Sequence, residues 1–151
     1  MFILEYDPVR IIVFAAHTGG PLTDADVDQI VESTRRAIGD ASLQEGSAVT
    51  NLVVVESSHS PTAVQRKRIG EAVARVKRGQ AAFVVRSPLL RAVITAIGWF
   101  RQGNRDNVQS THATYEGARD WLVARSGHSS NVFDAMERAV RSRVHDLERA
   151  S

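Results

Sequence analysis

The chain has 151 residues, 43% of them hydrophobic and 24% charged, and it contains no cysteine. That length suits a single domain, and the composition suits a folded chain rather than a disordered one. The missing cysteines exclude disulfides, thiolate metal centres and cysteine nucleophiles, and the formal charge is only +2.

The apolar start, Met1 to Leu4, meets Glu5 at once and has no basic stretch, so it does not read as a signal peptide. Phe2 to Tyr6 and Arg10 to Ala16 read as strands joined by a hairpin at Asp7-Pro8, hence antiparallel. Thr23 is the N-cap of a helix with Val27, Ile30, Val31, Thr34 and Ile38 on one face and Gly39 as its stop. Val49 to Glu56 is a strand whose apolar run, Leu52 to Val55, suits a central position covered on both faces. Ser60 as N-cap and Pro61 as an early helical residue open the next helix. Its apolar face is Ile69, Ala72, Val73 and Val76, and Gly79 ends it.

Ala81 to Val85 is a buried strand, and Ser87-Pro88 opens a helix through Phe100 that stops around Gly103. Asn107 to Thr114 is a weak polar strand suited to an edge. Tyr115 to Ala124 is a helix turning Trp121 and Leu122 inward, with Gly127 at its end. A final helix runs from about Asn131 to Arg149, capped by Ser129 or Ser130. The fold class is therefore α/β: a mixed, mostly parallel sheet of about five strands with four helices, plus an appended C-terminal helix. The reading places one domain over residues 1–126 and an amphipathic appendage over 127–151.

This element order, with FVVRSPLLRAVITAIGWF followed by a weak strand and YEGARDWL, resembles the STAS family, in particular its SpoIIAA-like branch of anti-sigma-factor antagonists. The resemblance covers roughly residues 1–125. It implies a cytoplasmic bacterial signalling module that is not an enzyme and uses no cofactor or metal. In regulatory STAS proteins a serine in an Asp-Ser-Ser-Gly-like turn is phosphorylated by a partner kinase. Here the turn is Glu56-Ser57-Ser58-His59, with histidine in place of the glycine. The implied switch and partner surface is Glu56, Ser57, Ser58, His59, Arg66, Lys67 and Arg68, the basic residues lying within reach of a phosphate. The plainer alternative is that these serines only cap and turn the chain.

Charge is segregated. Residues 1–60 hold 3 basic and 9 acidic residues, residues 61–105 hold 10 and 1, and residues 106–151 hold 6 and 7. The basic middle block suits nucleic acid, an anionic lipid surface or an acidic protein patch, or else it is a solvated face balanced by the acidic first helix. No nucleic-acid motif and no interleaved aromatic platform accompany it, so a protein partner is expected rather than DNA or RNA.

The stretch from Leu89 to Phe100 is the longest apolar run, but Arg91 interrupts it and it is far short of the ~20 residues of a membrane span. Its helix carries one apolar face at Leu89, Val93, Ile97 and Phe100 and a second at Leu90, Ile94 and Trp99. A second stripe needs a second cover. The final helix offers Phe133, Met136, Val140, Val144 and Leu147 for this, from the same chain or from a second copy in a homodimer. The competing function is a small-ligand or lipid-binding domain with an apolar pocket between Leu90, Ile94, Trp99 and Phe133, Met136, Val140.

The histidines, His17, His59, His112, His128 and His145, have no metal-ligand spacing. A Ser-His-acid grouping can be drawn from His17 or His59 with Glu56 and Ser57 or Ser58, but without a nucleophile elbow. No catalytic residue is assigned.

Overall fold

The fold is seen in a computed structural model that describes residues 1–99 and 106–150, with residues 93 and 96–99 described as backbone only. Expectations for the side chains of Val93, Ile97 and Trp99, and for Phe100, Arg101, Gly103 and Arg105, lie outside the described residues.

Five strands form one sheet in the order β1 (Phe2–Asp7), β2 (Ile12–His17), β3 (Val49–Val55), β4 (Gly79–Val85), β5 (Asn107–His112). β1 runs antiparallel to β2, and every other pair is parallel. The α/β class and the mixed sheet are as the sequence pattern indicates. Five helices accompany the described strands: α1 (Asp24–Leu43), α2 (Ala63–Ala74), α3 (Pro88–Trp99), α4 (Tyr115–Ser126) and α5 (Ser130–Ala150). β-branched and aliphatic residues dominate β2 to β4, and polar β5 takes the edge.

Each of α1, α2 and α3 joins a strand to its immediate neighbour. Right-handed crossovers in one direction put such helices on the same face of the sheet. α4 and α5 cover the other face. Their core holds Ile12, Phe14, Leu52, Val54, Ala82 and Val84 from the strands, with Ala118, Leu122, Phe133, Val140 and Val144 from the helices. The opposite face buries Ile11, Val13, Val49 and Val76 with Ala37.

Several boundaries differ from the periodicity reading. Arg10 belongs to the hairpin turn, and Ile11 there takes φ +56 before β2 begins at Ile12. α1 does not stop at Gly39. That glycine faces open space, and the helix continues to Leu43 with Ala37, Ile38 and Ala41 packed on the sheet. The N-cap of α2 is Thr62, not Ser60. Its Oγ1 accepts from the Gln65 backbone N–H at 3.2 Å, and Gln65 Oε1 accepts from the Thr62 N–H at 3.0 Å. That reciprocal pair satisfies two end donors, which Ser60 ahead of Pro61 does not match. α2 ends at Ala74, and Val76 is buried in the turn behind it.

The largest correction concerns the C-terminal helix. α5 is no appendage over α3. Phe133 and Val140 are fully buried against the sheet. α3 lies on the opposite face: Gln109 donates through Nε2 to the Ile94 carbonyl at 3.2 Å, and Gln109 pairs in register with Ala81, which alternates with the α4-facing Ala82. The proposed apolar pocket of Leu90 and Ile94 with Phe133, Met136 and Val140 is therefore divided by the sheet. Leu90 is itself buried within the chain and offers no association surface, although its neighbour Leu89 is 76% exposed.

Candidate functional site

The parallel strands end together at one edge, where open α/β sheets commonly bind ligands. Extended backbone sends successive side chains to opposite faces, so the residues after β3 divide between two surfaces.

Ser57 goes toward the loop after β2. Its side chain is buried, donates to the Gly19 carbonyl at 2.6 Å with the Gly20 carbonyl at 3.1 Å, and accepts from the His59 N–H at 3.1 Å. The His17 carbonyl accepts from the Glu56 and Ser57 N–H groups at 2.9 and 3.2 Å. The His17 ring lies with Nε2 at 2.7 Å from the Gly20 carbonyl, which makes that nitrogen the donor in the neutral ring. These bonds fasten the two loops to each other. Ser58 and His59 stand exposed on top.

Glu56 goes the other way and pairs with Arg141 of α5 at 2.9 Å. The Ser57 proton goes to a carbonyl, and His59 Nδ1 is 3.4 Å from Ser57 Oγ. Serine, histidine and carboxylate are thus not assembled into a relay. Of the three basic residues read as phosphate partners, each is engaged locally. Arg66 donates to the Pro61 carbonyl at 2.6 Å, Lys67 lies 3.9 Å from Glu71, and Arg68 pairs with Asp28 of α1. At Arg68 the basic block is balanced by the acidic first helix.

On the face of α4 and α5 a cleft of about 530 Å³ opens over Val54 and Val84. Its walls are the first turns of α4 and one side of α5, and its rim carries Glu56 and Arg86. Asp134 accepts from the Tyr115 hydroxyl at 2.8 Å and from Arg119 at 3.2 Å. The Tyr115 hydrogen bond, with Arg119 behind it, holds the Asp134 carboxyl below the usual range. Burial, then the Asp134 carboxylate, pushes the Tyr115 hydroxyl well above its ordinary value. Arg141 bonds Glu56 through Nη2 and Glu137 through Nε, both at 2.9 Å, and those bonds keep it protonated. Apart from Glu56, these cleft residues were not among the expected site residues. The legible signal was Asp134, Glu137, Arg138 and Arg141, whose spacing forms a polar stripe beside the apolar stripe of the same helix.

Burial lowers the pKa of His17 and of His112. Around His17 the N-terminal ammonium and His59 add to the lowering, while the Gly20 carbonyl and Asp26 oppose it. His112 Nε2 is buried without a hydrogen-bond partner, and its ring lies 6.0 Å from that of Trp121. Both rings stay neutral in the fold at a pH where unfolded histidine, with a pKa of about 6.5, takes up a proton. Their contribution is present above that pH and is lost as pH falls toward the lowered folded values. The urea midpoint is expected to be lower at about pH 5.5 than at about pH 7.5, and less so in a His17→Gln, His112→Phe double variant. An equal drop in both proteins would show that other groups carry it.

The fold and these two surfaces define a three-layer α/β protein with its loops and cleft at the C-terminal ends of parallel strands. Compared with protein-family models, with curated proteins and with solved structures, the chain finds no match. Among the described residues no helix is long and apolar enough to cross a membrane, and no cluster of three or more His, Asp or Glu side chains could hold a metal ion.

Proposed function

We propose that the chain is a non-enzymatic regulatory or scaffolding module that binds a protein partner through the turn after β3 and the first turn of α2. The element order, the edge hairpin and a Ser-Ser turn between a central strand and a helix support the likeness to STAS domains of the SpoIIAA-like branch. The observation that carries the reading is a turn braced from below and bare above. Ser57 ties it to the neighbouring loop, the Thr62 capping box fixes the helix that follows, and Ser58, His59 and Val64 stand in solvent, Val64 at 69% exposure. A surface already ordered loses little conformational freedom on binding.

The same geometry narrows the phosphorylation switch. The Ser57 hydroxyl is buried and bonded, so Ser58 is the serine a kinase would reach. Phosphate there would add about −1.5 to −2 charge to the exposed turn ahead of α2 and change which partner docks.

The test is capture from the source cells with a tagged chain. Wild type is expected to enrich a defined partner about tenfold or more over Val64→Asp, a loss of at least ~1.4 kcal/mol. Arg138→Gln, on the other face, is expected to retain that partner. Equal enrichment by wild type and Val64→Asp would refute the assigned surface.

A further inference from the structure

We propose that the cleft over Val54 and Val84 is a binding site for a small compound bearing an oxyanion, a phosphate or carboxylate group, held by Arg86 and Arg138. It lies on the opposite face of the sheet from α2, which carries Val64, and does not depend on the partner-binding reading.

The cleft has the dimensions of a metabolite site: about 530 Å³, within the ~300–1,000 Å³ of small-molecule pockets. Its lining contains four arginines and four acidic residues, so equal charge by itself selects nothing. The pairing decides. Glu56 and Glu137 are both held by Arg141, and Asp134 by Arg119 and Tyr115. Arg86, just beyond β4, and Arg138, on α5, make no hydrogen bond or ion pair among the described residues, although Arg138 is near enough to Asp134 to help lower its pKa, and Glu116 is the one lining carboxylate without such a bond. The cleft as a whole stays electrically neutral, and what Arg86 and Arg138 add is guanidinium donors that no carboxylate oxygen already occupies.

The paired groups serve as a frame. Arg141 fastens the end of β3 to α5, and Asp134 fastens α5 to Tyr115 and Arg119 on α4. Both walls are therefore held apart at a set width before any ligand arrives. Arg141 also keeps Nη1 outside its two carboxylate bonds, and a guanidinium has donors to spare for a second acceptor. Arginine presents its donors in a planar fork that matches phosphate and carboxylate oxygens. The floor supplies the other half of the recognition. Val54 and Val84 put a small, largely covered aliphatic floor beneath polar walls, which favours a ligand with a small apolar body behind its acidic head.

The experiment is an amide chemical-shift titration of the full chain at constant ionic strength with phenyl phosphate, inorganic phosphate and benzoate. Saturable shifts are expected at Arg86, Glu116 and Arg138, with phenyl phosphate or benzoate tighter than inorganic phosphate. The order of those two tells a phosphate site from a carboxylate site. The Arg86→Gln, Arg138→Gln double variant is expected to bind about tenfold or more weakly, a loss of at least ~1.4 kcal/mol, since the charge-assisted bonds to the oxyanion are gone. Its unfolding midpoint should move little, because neither side chain makes a hydrogen bond or ion pair among the described residues and Arg138 acts on Asp134 only through the weaker attraction of its charge. Arg35→Gln, an exposed arginine on α1, should bind as wild type does. The proposal is overturned if no probe saturates, if the double variant binds equally well, or if Arg35→Gln weakens binding as much.

Discussion

Replacing Phe133 by alanine is expected to lower the unfolding free energy by about 3–5 kcal/mol, the cost typical of removing a buried phenyl ring and leaving a cavity. Phe133 is 0% exposed and shares a core with Phe14, Leu52 and Leu122, while the His128 ring meets it nearly edge-on at 6.3 Å. The neighbours come from the sheet and from α4, so collapse around the gap would have to move two layers. Against a total stability of about 5–15 kcal/mol, that loss would leave the protein marginal at moderate temperature. Phe133→Leu, which roughly preserves volume and apolarity, should cost less than about 1.5 kcal/mol. Urea denaturation of the three proteins measures this. A loss below about 1 kcal/mol for the alanine variant would restore the view of the C-terminal helix as a dispensable appendage.

Gly79→Val is expected to cost about 3 kcal/mol, at the upper end of the range for overpacking. A Cβ at position 79 would lie 2.8 Å from the Val49 carbonyl oxygen and 3.0 Å from Val76 Cγ1. The first of these is backbone in the adjacent strand and cannot swing aside. Gly79 begins β4 and pairs with Val49 on one side and Asn107 on the other, so relief would have to disturb both ladders. The comparison is Gly70→Val on α2, where no atom lies within 4 Å of the added carbon. There the change should be neutral or stabilising by a few tenths of a kcal/mol, because valine is a better helix former than glycine. Equal midpoint shifts for the two variants would mean that the close approach at Gly79 does not constrain the sheet.

Local chemistry made much of the fold legible. β-branched runs at Ile11–Val13 and Val49–Val55 identify strands, because such side chains fill a pleated surface. Thr23 caps α1 and Gly127 closes α4 with φ +75, each for a reason contained within a few residues. The alternation of strands and helices settles the α/β class. Where the sequence reading went astray, two local signals competed. Ser60-Pro61 and Thr62-x-x-Gln65 are both helix starts, and the reciprocal capping box prevails by satisfying more end donors. Gly39 is a local stop signal, but an apolar stripe packed against the sheet carries α1 past it.

What the chain alone determined is the set of elements, their polarity and the absence of cysteine chemistry. Which faces meet was decided only in three dimensions. The stripes of α3 and α5 are both apolar, and periodicity says that each needs cover without saying by what. The handedness of the crossovers puts α3 on one side of the sheet and leaves the other side for α4 and α5. The charge total of +2 is equally uninformative about a site. Folding pairs Glu56 with Arg141 across 85 positions of sequence and brings Arg86 and Arg138, with no hydrogen bond or ion pair of their own among the described residues, to the same cleft. Electrostatic interaction depends on separation in space, and tertiary packing is what sets that separation.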